Sequence, residues 1–399
     1  MSFDKVVYIR YLPLTEAIYT DLYFEELINK KIQVEYLDVT ALFNKTNTIN
    51  SFNFSGIIKI NNYDQLDNYF KKNSTENVLY ISIMTFEWSV FKLYRKFTKF
   101  NLKLGVFARG VFPSYTIDTK SKFKKILSAL DFTKIRDYFA NRIALISKKT
   151  GWIKTYDFIF KAGEFGFWGL GLGSEIDINY AKVIEVNTVD YDRYLINPDI
   201  ANTKDDNYIV FLDQYLPYHP DVSFLKIKTV EPIKYYQQLN IFFEKLEAIT
   251  KKRVVISAHP KADTYKEFNP FNNRKIYFNQ SNDLVKKSSL VLTHASTAVC
   301  FPICYQKRIV LINSNYINEV LPQFEQVAKA IKFACDATII NMDENKPLKI
   351  PATINETKYN DFKYKYLTST ISEHKLSKDI FIEFLKSFGA TNSINNIAL

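Results

Sequence analysis

Three stretches of the chain group side chains that hold or move charge on a phosphate: Ala258-His-Pro-Lys261, His294-Ala-Ser-Thr297 and Asp213-Gln214. An imidazole such as His259 donates a hydrogen bond to a phosphate oxygen, or delivers a proton to it as it departs. Ser296 and Thr297 stand where a helix is expected to open, so a phosphate there would meet hydroxyls and first-turn amides together. Lys261 and His294 add donors beside Pro260, and Asp213 adds a carboxylate able to accept a proton. A departing phosphate neutralised by such donors needs no metal, and no Asp-x-Asp in the strand context that would hold one is present. Taken singly, each element has a plain structural explanation. His-Pro is a common turn dipeptide, repeated here at His219-Pro220; Ser-Thr at a helix start is ordinary capping; Asp213 would close a turn. What favours chemistry is their convergence on consecutive strand ends, where open α/β sheets bind ligands at the point of reversed strand order.

The elements that must position these groups alternate. Apolar runs at 6–9, 33–37, 56–60, 77–83, 103–107 and 156–160 read as strands, with helical spacing over 15–29, 63–72 and 86–97 between them. Thr15 is available to cap the first helix. A second series follows: strands at 208–212, 253–257, 289–293 and 309–312, a long helix over 232–251, and helices over 282–287, opened by Ser281, and 297–305. Strands alternating with helices predict parallel, doubly wound sheets. The polar stretch 197–207 is the linker candidate. The expected architecture is therefore α/β, with two Rossmann-like doubly wound domains facing across a cleft: residues 1–196, a linker at 197–207, and 208–399 including C-terminal helices.

The chain has 399 residues, with 53 Lys plus Arg against 42 Asp plus Glu and a net charge of +11. Apolar residues at 47 % and charged residues at 24 % exclude a disordered or fibrous chain. Three cysteines, Cys300, Cys304 and Cys335, make neither a disulfide framework nor a zinc site and fit a reducing cytoplasm. No signal peptide and no membrane span is expected. Residues 115–154 hold ten Lys or Arg against three Asp, so this segment carries +7 of the +11. It reads as a basic helical hairpin inserted into the first domain, its apolar stripe formed in the second helix by Ile135, Tyr138, Phe139, Ile143 and Ile146. A solvated face over a core stripe and a patch facing anionic lipid both fit; each cation near such a surface contributes about 1 kcal/mol. Nucleic acid is not expected, because no recognised binding motif accompanies the charge.

Four further residues border the strand ends of the first domain. Glu87 follows the strand at 77–83 and Asp38 the strand at 33–37; either is an alternative to Asp213 as general base. Arg109, after the strand at 103–107, would meet an anionic group or lie in a surface turn. The segment Ala162–Ser174 holds five of the ten glycines, reads as a mobile interdomain loop without helical continuation, and offers Glu164 as a ligand.

These motifs carry a resemblance. Leu292-Thr-His-Ala-Ser-Thr-Ala-Val299, preceded by Ser257-Ala-His-Pro-Lys261, and the opening Tyr8-Ile-Arg-Tyr-Leu-Pro-Leu14 resemble GT-B glycosyltransferases of bacterial capsule and lipopolysaccharide assembly. Within that fold the pattern is similar to the sialyltransferase, polysialyltransferase and Kdo-transferase group. The resemblance implies a CMP-activated nonulosonic acid or Kdo donor as substrate, no cofactor, a glycan or lipid-linked glycan acceptor, and an enzyme at the inner face of the cytoplasmic membrane. It implies that His259 binds the phosphate and serves as general acid, with Ser296 and Thr297 on the same phosphate. The acidic Asp/Glu-Asp/Glu-Gly motif of that group is missing, since Asp205-Asp206 is followed by Asn207, and the base is left among Asp213, Glu87 and Asp38. A UDP- or GDP-sugar transferase, a CDP-polyol phosphotransferase and a non-catalytic glycan- or lipid-binding subunit remain alternatives.

Overall fold

The computed structural model describes residues 2–43, 51–74, 77–110, 113, 132–197, 207–219 and 228–387, side chains of 132–135 aside. The first half of the expected basic hairpin and most of the expected linker lie outside the described residues. Among the described residues two compact units emerge, one from those up to 110, those in 132–189 and those in 368–387, the other from 113 and those in 190–367.

The first unit is a seven-stranded parallel sheet in the order β3-β2-β1-β4-β5-β6-β7. Its strands are β1 Lys5–Arg10, β2 Gln33–Asp38, β3 Ile57–Lys59, β4 Val78–Ser82, β5 Leu104–Ala108, β6 Phe158–Ala162 and β7 Lys182–Val186. The second unit is a six-stranded parallel sheet in the order β10-β9-β8-β11-β12-β13. It comprises β8 Tyr208–Leu212, β9 Arg253–Ala258, β10 Ile276–Phe278, β11 Leu290–Thr293, β12 Ile309–Asn313 and β13 Thr338–Asn341. Both are doubly wound, as expected, and order reverses between β1 and β4 and between β8 and β11.

The continuous apolar runs follow from burial on both faces. In β1, Val7 and Ile9 enter one core while Val6 and Tyr8 enter the other. In the second sheet, Ile209, Phe211, Ile256 and Leu292 pack on one side, and Val210, Leu212, Val255 and Val291 on the other. Each sheet is thus sandwiched between helix layers, which leaves only its strand ends accessible for chemistry.

Several expectations are corrected. The helix over 15–29 is two, Glu16–Asp21 and Phe24–Asn29, broken at Tyr23 with φ +65°. The Tyr8 hydroxyl donates to the Leu22 carbonyl at 2.6 Å and anchors the break, while Thr15 caps the first helix. β7, β10 and β13, absent from the sequence reading, are short and lie at or beside the sheet edges, where apolar alternation fades. The C-terminal helix Ser377–Ser387 belongs to the first unit, not the second: Phe381 and Phe384 pack edge-on against Phe160 at 4.8 and 5.2 Å. Leu385 accepts from the Phe3 amide at 2.9 Å.

The described part of the basic segment is one helix, Phe132–Lys149. Its apolar stripe points the other way from a core stripe. Phe139, Ile143 and Ile146 are exposed, whereas Ala140, Ala144 and Lys148 are buried. Small alanines let the helix approach closely, and the Lys148 ammonium is neutralised there by Asp177 at 2.5 Å.

Candidate functional site

The strand ends of the second sheet bring the predicted groups together. β9, β8 and β11 are direct neighbours, so His259, Asp213 and His294 emerge side by side, with the order reversal between β8 and β11. The Asp213 amide donates to the Ser257 carbonyl at 3.0 Å, one residue past the β8/β9 ladder. Gln214 accepts from the Ala295 amide at 2.7 Å and ties the end of β8 to the loop after β11.

His294 is a positioning residue. Its Nδ1 lies 2.6 Å from the Ile312 carbonyl oxygen, which only accepts, so Nδ1 carries the proton. Nε2 then accepts from the Tyr235 hydroxyl at 3.0 Å. Burial pushes this imidazole down to about 4, against the opposing pull of the Ile312 carbonyl. With both nitrogens engaged inside the core, His294 orients the Ser296 loop and does not itself meet a ligand.

Asp213 is likewise enclosed. Burial lifts its carboxyl to about 6, opposed by the amide dipoles of Tyr215 and Gln214 and by the Tyr265 hydroxyl. Tyr265 donates to Oδ2 at 2.9 Å, so in the 2.8 Å contact between the two tyrosines Tyr236 donates to Tyr265. Oδ1 is buried without a hydrogen-bond partner. Asp213 sits at the predicted strand end, but the expected base is shielded by Tyr265.

His259, Pro260, Lys261, Ser296 and Thr297 form the accessible rim. His259 is half-buried; Pro260, Lys261 and Thr297 are exposed. The Lys261 amide donates to His259 Nδ1 at 3.2 Å, so the neutral ring carries its proton on Nε2. Ser296 has extended backbone and accepts from the Ala298 amide at 3.1 Å, which leaves its own O–H as a donor. The turn it caps, Thr297–Val299, runs into the helix Cys300–Cys304. Rim and floor together provide an imidazole, an ammonium and two hydroxyls above a buried Tyr–Asp and Tyr–His framework.

The remaining candidates belong to the first unit. Glu87 is exposed after β4 and accepts from Ser89. Asp38 accepts from Thr40 at its amide, 3.0 Å, and its hydroxyl. Arg109 is committed to the fold: its guanidinium donates to the Tyr23 hydroxyl at 2.6 Å and the Asp21 carbonyl at 2.8 Å, over the Phe107 ring. Glu164 is exposed in the glycine-rich segment. That segment is packed rather than mobile, and a helix, Ser174–Tyr180, does follow it. Gly171, at φ +76°, bridges to Phe86 so closely that a side chain would strike the Phe86 backbone. Gly169, at φ +100°, would place a Cβ 2.8 Å from the Phe107 carbonyl oxygen.

The sequence reading missed Tyr235, Tyr236 and Tyr265, because tyrosine is common throughout this chain and carries no motif. Among the described residues no group of three or more His, Cys, Asp or Glu is arranged as a metal site.

No protein-family model matches the chain, and no curated protein does. Among solved structures it is similar to the UDP-GlcNAc 2-epimerase of Neisseria meningitidis bound to UDP-GlcNAc, at 11 % identity over 96 % of this chain and 99 % of that one, TM-score 0.42. It is similar to the UDP-GlcNAc 2-epimerase of Methanocaldococcus jannaschii, at 14 % identity over 89 % and 98 %, TM-score 0.39. It is also similar to the calicheamicin glycosyltransferase CalG4, at 10 % identity over 99 % and 98 %, TM-score 0.42.

Proposed function

We propose that the chain is a glycosyltransferase of the GT-B type that moves a sugar from a nucleotide-activated donor to a hydroxyl of a glycan acceptor. The observation that carries this reading is the convergence of His259 and Lys261 after β9, and Ser296 and Thr297 after β11, on the two strands that flank β8 at the order reversal. Such a rim suits the phosphate of a nucleotide, and the His-Pro and Ser-Thr motifs favour a CMP-linked nonulosonic acid or Kdo. In the reaction, the acceptor oxygen bonds to the anomeric carbon as the bond from that carbon to the phosphate oxygen breaks. The bonding pair stays on the phosphate, where His259 Nε2–H, Lys261 and the hydroxyls take up the charge. The acceptor proton passes to a carboxylate. Glu87 is the exposed candidate, and Asp213 acts through Tyr265 as a positioning group.

The acceptor is proposed to be a lipid-linked surface glycan, reached at the cytoplasmic face of an anionic membrane. Support comes from the exposed Phe139, Ile143, Ile146 and Trp152 beside the exposed cations Arg136, Arg142 and Lys149. No helix among the described residues is long and apolar enough to cross a membrane.

Calorimetric titration with CMP, CDP, UDP and GDP tests the donor site. The reading requires selective CMP binding that the Ser296→Ala/Thr297→Ala double variant loses; preference for UDP or GDP changes the donor class, and no binding to any nucleotide sinks it. Loss of transfer in His259→Ala with glycan binding retained separates an enzyme from a glycan-binding subunit.

A further inference from the structure

The chain has four histidines. His294 is locked in the second core, and His374 is exposed in the first unit. The remaining two, His219 and His259, lie against each other with ring centroids 4.7 Å apart at an interplanar angle of 63°. Both are half-buried, and each opens a His-Pro dipeptide. They come from loops after adjacent strands, β8 and β9.

The contact is built. Between Asp213 and His219 the chain turns at Tyr215, which adopts φ +53°, a left-handed conformation unfavourable for a non-glycine residue. The turn is held from the β9 side: the Tyr215 and Thr264 hydroxyls are 2.7 Å apart, and the Tyr215 ring meets Tyr265 edge-on at 5.2 Å. The Tyr218 amide closes it onto the Tyr215 carbonyl at 3.1 Å. Tyr215 is buried, so this loop is fixed relative to His259 by core packing.

We propose that His219 is a second phosphate ligand, forming with His259 a two-imidazole clamp for the phosphate of the nucleotide. The proposal rests on the nucleotide reading above and extends it to a residue outside the predicted set. A sugar-linked nucleoside monophosphate is a diester with one negative charge; once the anomeric bond breaks it is a monoester with two. One imidazole N–H meets the charge present throughout, and a second meets the charge that appears on bond cleavage. His219 therefore favours the leaving nucleotide over the intact donor, which is the difference that accelerates transfer. Two imidazoles in contact also repel each other when both are protonated, and a dianion bound by both N–H groups offsets that repulsion.

The test titrates the full chain and its His219→Phe and His259→Ala variants with CMP, cytidine and inorganic phosphate. His219→Phe keeps an aromatic ring in place, and an unchanged unfolding midpoint shows that the loop is intact. The proposal expects CMP and phosphate to bind about 10- to 100-fold more weakly to His219→Phe, with cytidine unaffected, as for loss of a hydrogen bond to a charged group. It further expects nitrogen resonances of both His219 and His259 to move when CMP is added. CMP and phosphate affinity unchanged in His219→Phe but lost in His259→Ala would overturn the clamp and leave the nucleotide reading standing. Absence of CMP and phosphate binding to the unmodified chain would overturn both.

Discussion

The Tyr265 hydroxyl donates to Oδ2 of Asp213 at 2.9 Å, over a carboxylate that the sequence places at a strand end and the fold seals from solvent. At the end of the neighbouring strand β11, burial holds His294 neutral, with its two nitrogens engaged by Tyr235 and the Ile312 carbonyl. The two buried groups respond to pH in opposite senses. The Asp213 carboxyl, raised from 3.8 to about 6, contributes stability that is complete below 3.8 and is lost as pH rises through about 6. His294, lowered from 6.5 to about 4, contributes stability present above 6.5 and lost as pH falls through about 4.

Between pH 4 and 6.5 these contributions offset each other, so removing one exposes the other. Asp213→Asn is expected to stabilise the protein at pH 7.5, and this gain should shrink by about 2 kcal/mol at pH 4.5, giving a steeper loss on acidification than in the parent. Urea unfolding at both pH values measures it. A gain that does not change with pH would refute the raised carboxyl. Asp177, also lifted to about 6, is present in both proteins and cancels from the comparison.

Gly151 and Gly171 share nearly the same backbone angle, φ +75° and +76°, in different surroundings. A Cβ at Gly151 meets nothing within 4 Å, whereas one at Gly171 collides with the Phe86 backbone. Alanine at Gly151 should cost only the backbone term of about 1 kcal/mol. At Gly171 the cost should exceed 3 kcal/mol on the order of an overpacked core. Equal melting temperatures for the two variants would show that the glycine-rich segment is loose after all.

Lys148 and Asp177 form a sealed ion pair, with Lys148 also stacked near Phe86 and Tyr156. Lys148→Met alone, or Asp177→Leu alone, should lose about 3–5 kcal/mol by leaving one charge buried. The double replacement should recover much of that loss. Chemical denaturation of the three variants closes the cycle, and additive single effects would argue against direct coupling.

Ser296 and Thr297 separate capping from ligand binding. Ser296→Ala removes a cap and should cost about 1 kcal/mol of stability along with nucleotide affinity. Thr297 is exposed and caps nothing among the described contacts, so Thr297→Ala should weaken nucleotide binding with the melting temperature unchanged. The pair of thermal scans and titrations distinguishes them; a Thr297→Ala variant that binds normally would remove this hydroxyl from the site.

Apolar periodicity was enough to establish the two parallel sheets, most of their strands, and the convergence of 213, 259 and 294 to 297 on neighbouring strand ends. Burial of both sheet faces writes an unbroken apolar run into each central strand, and the residue after such a run must lie at the carboxyl edge. Edge strands β7 and β10 lack that signal because one side of each has no neighbour to demand it. Tertiary structure alone decided what each strand-end residue does. Whether an imidazole faces a ligand or the core depends on partners far away in sequence: Tyr235 and Ile312 turn His294 inward, Tyr265 covers Asp213, and the left-handed turn at Tyr215 sets His219 against His259. The outward stripe of the Phe132–Lys149 helix was decided the same way, since its spacing fits either face and only the pairing of Lys148 with Asp177 fixes which one is buried.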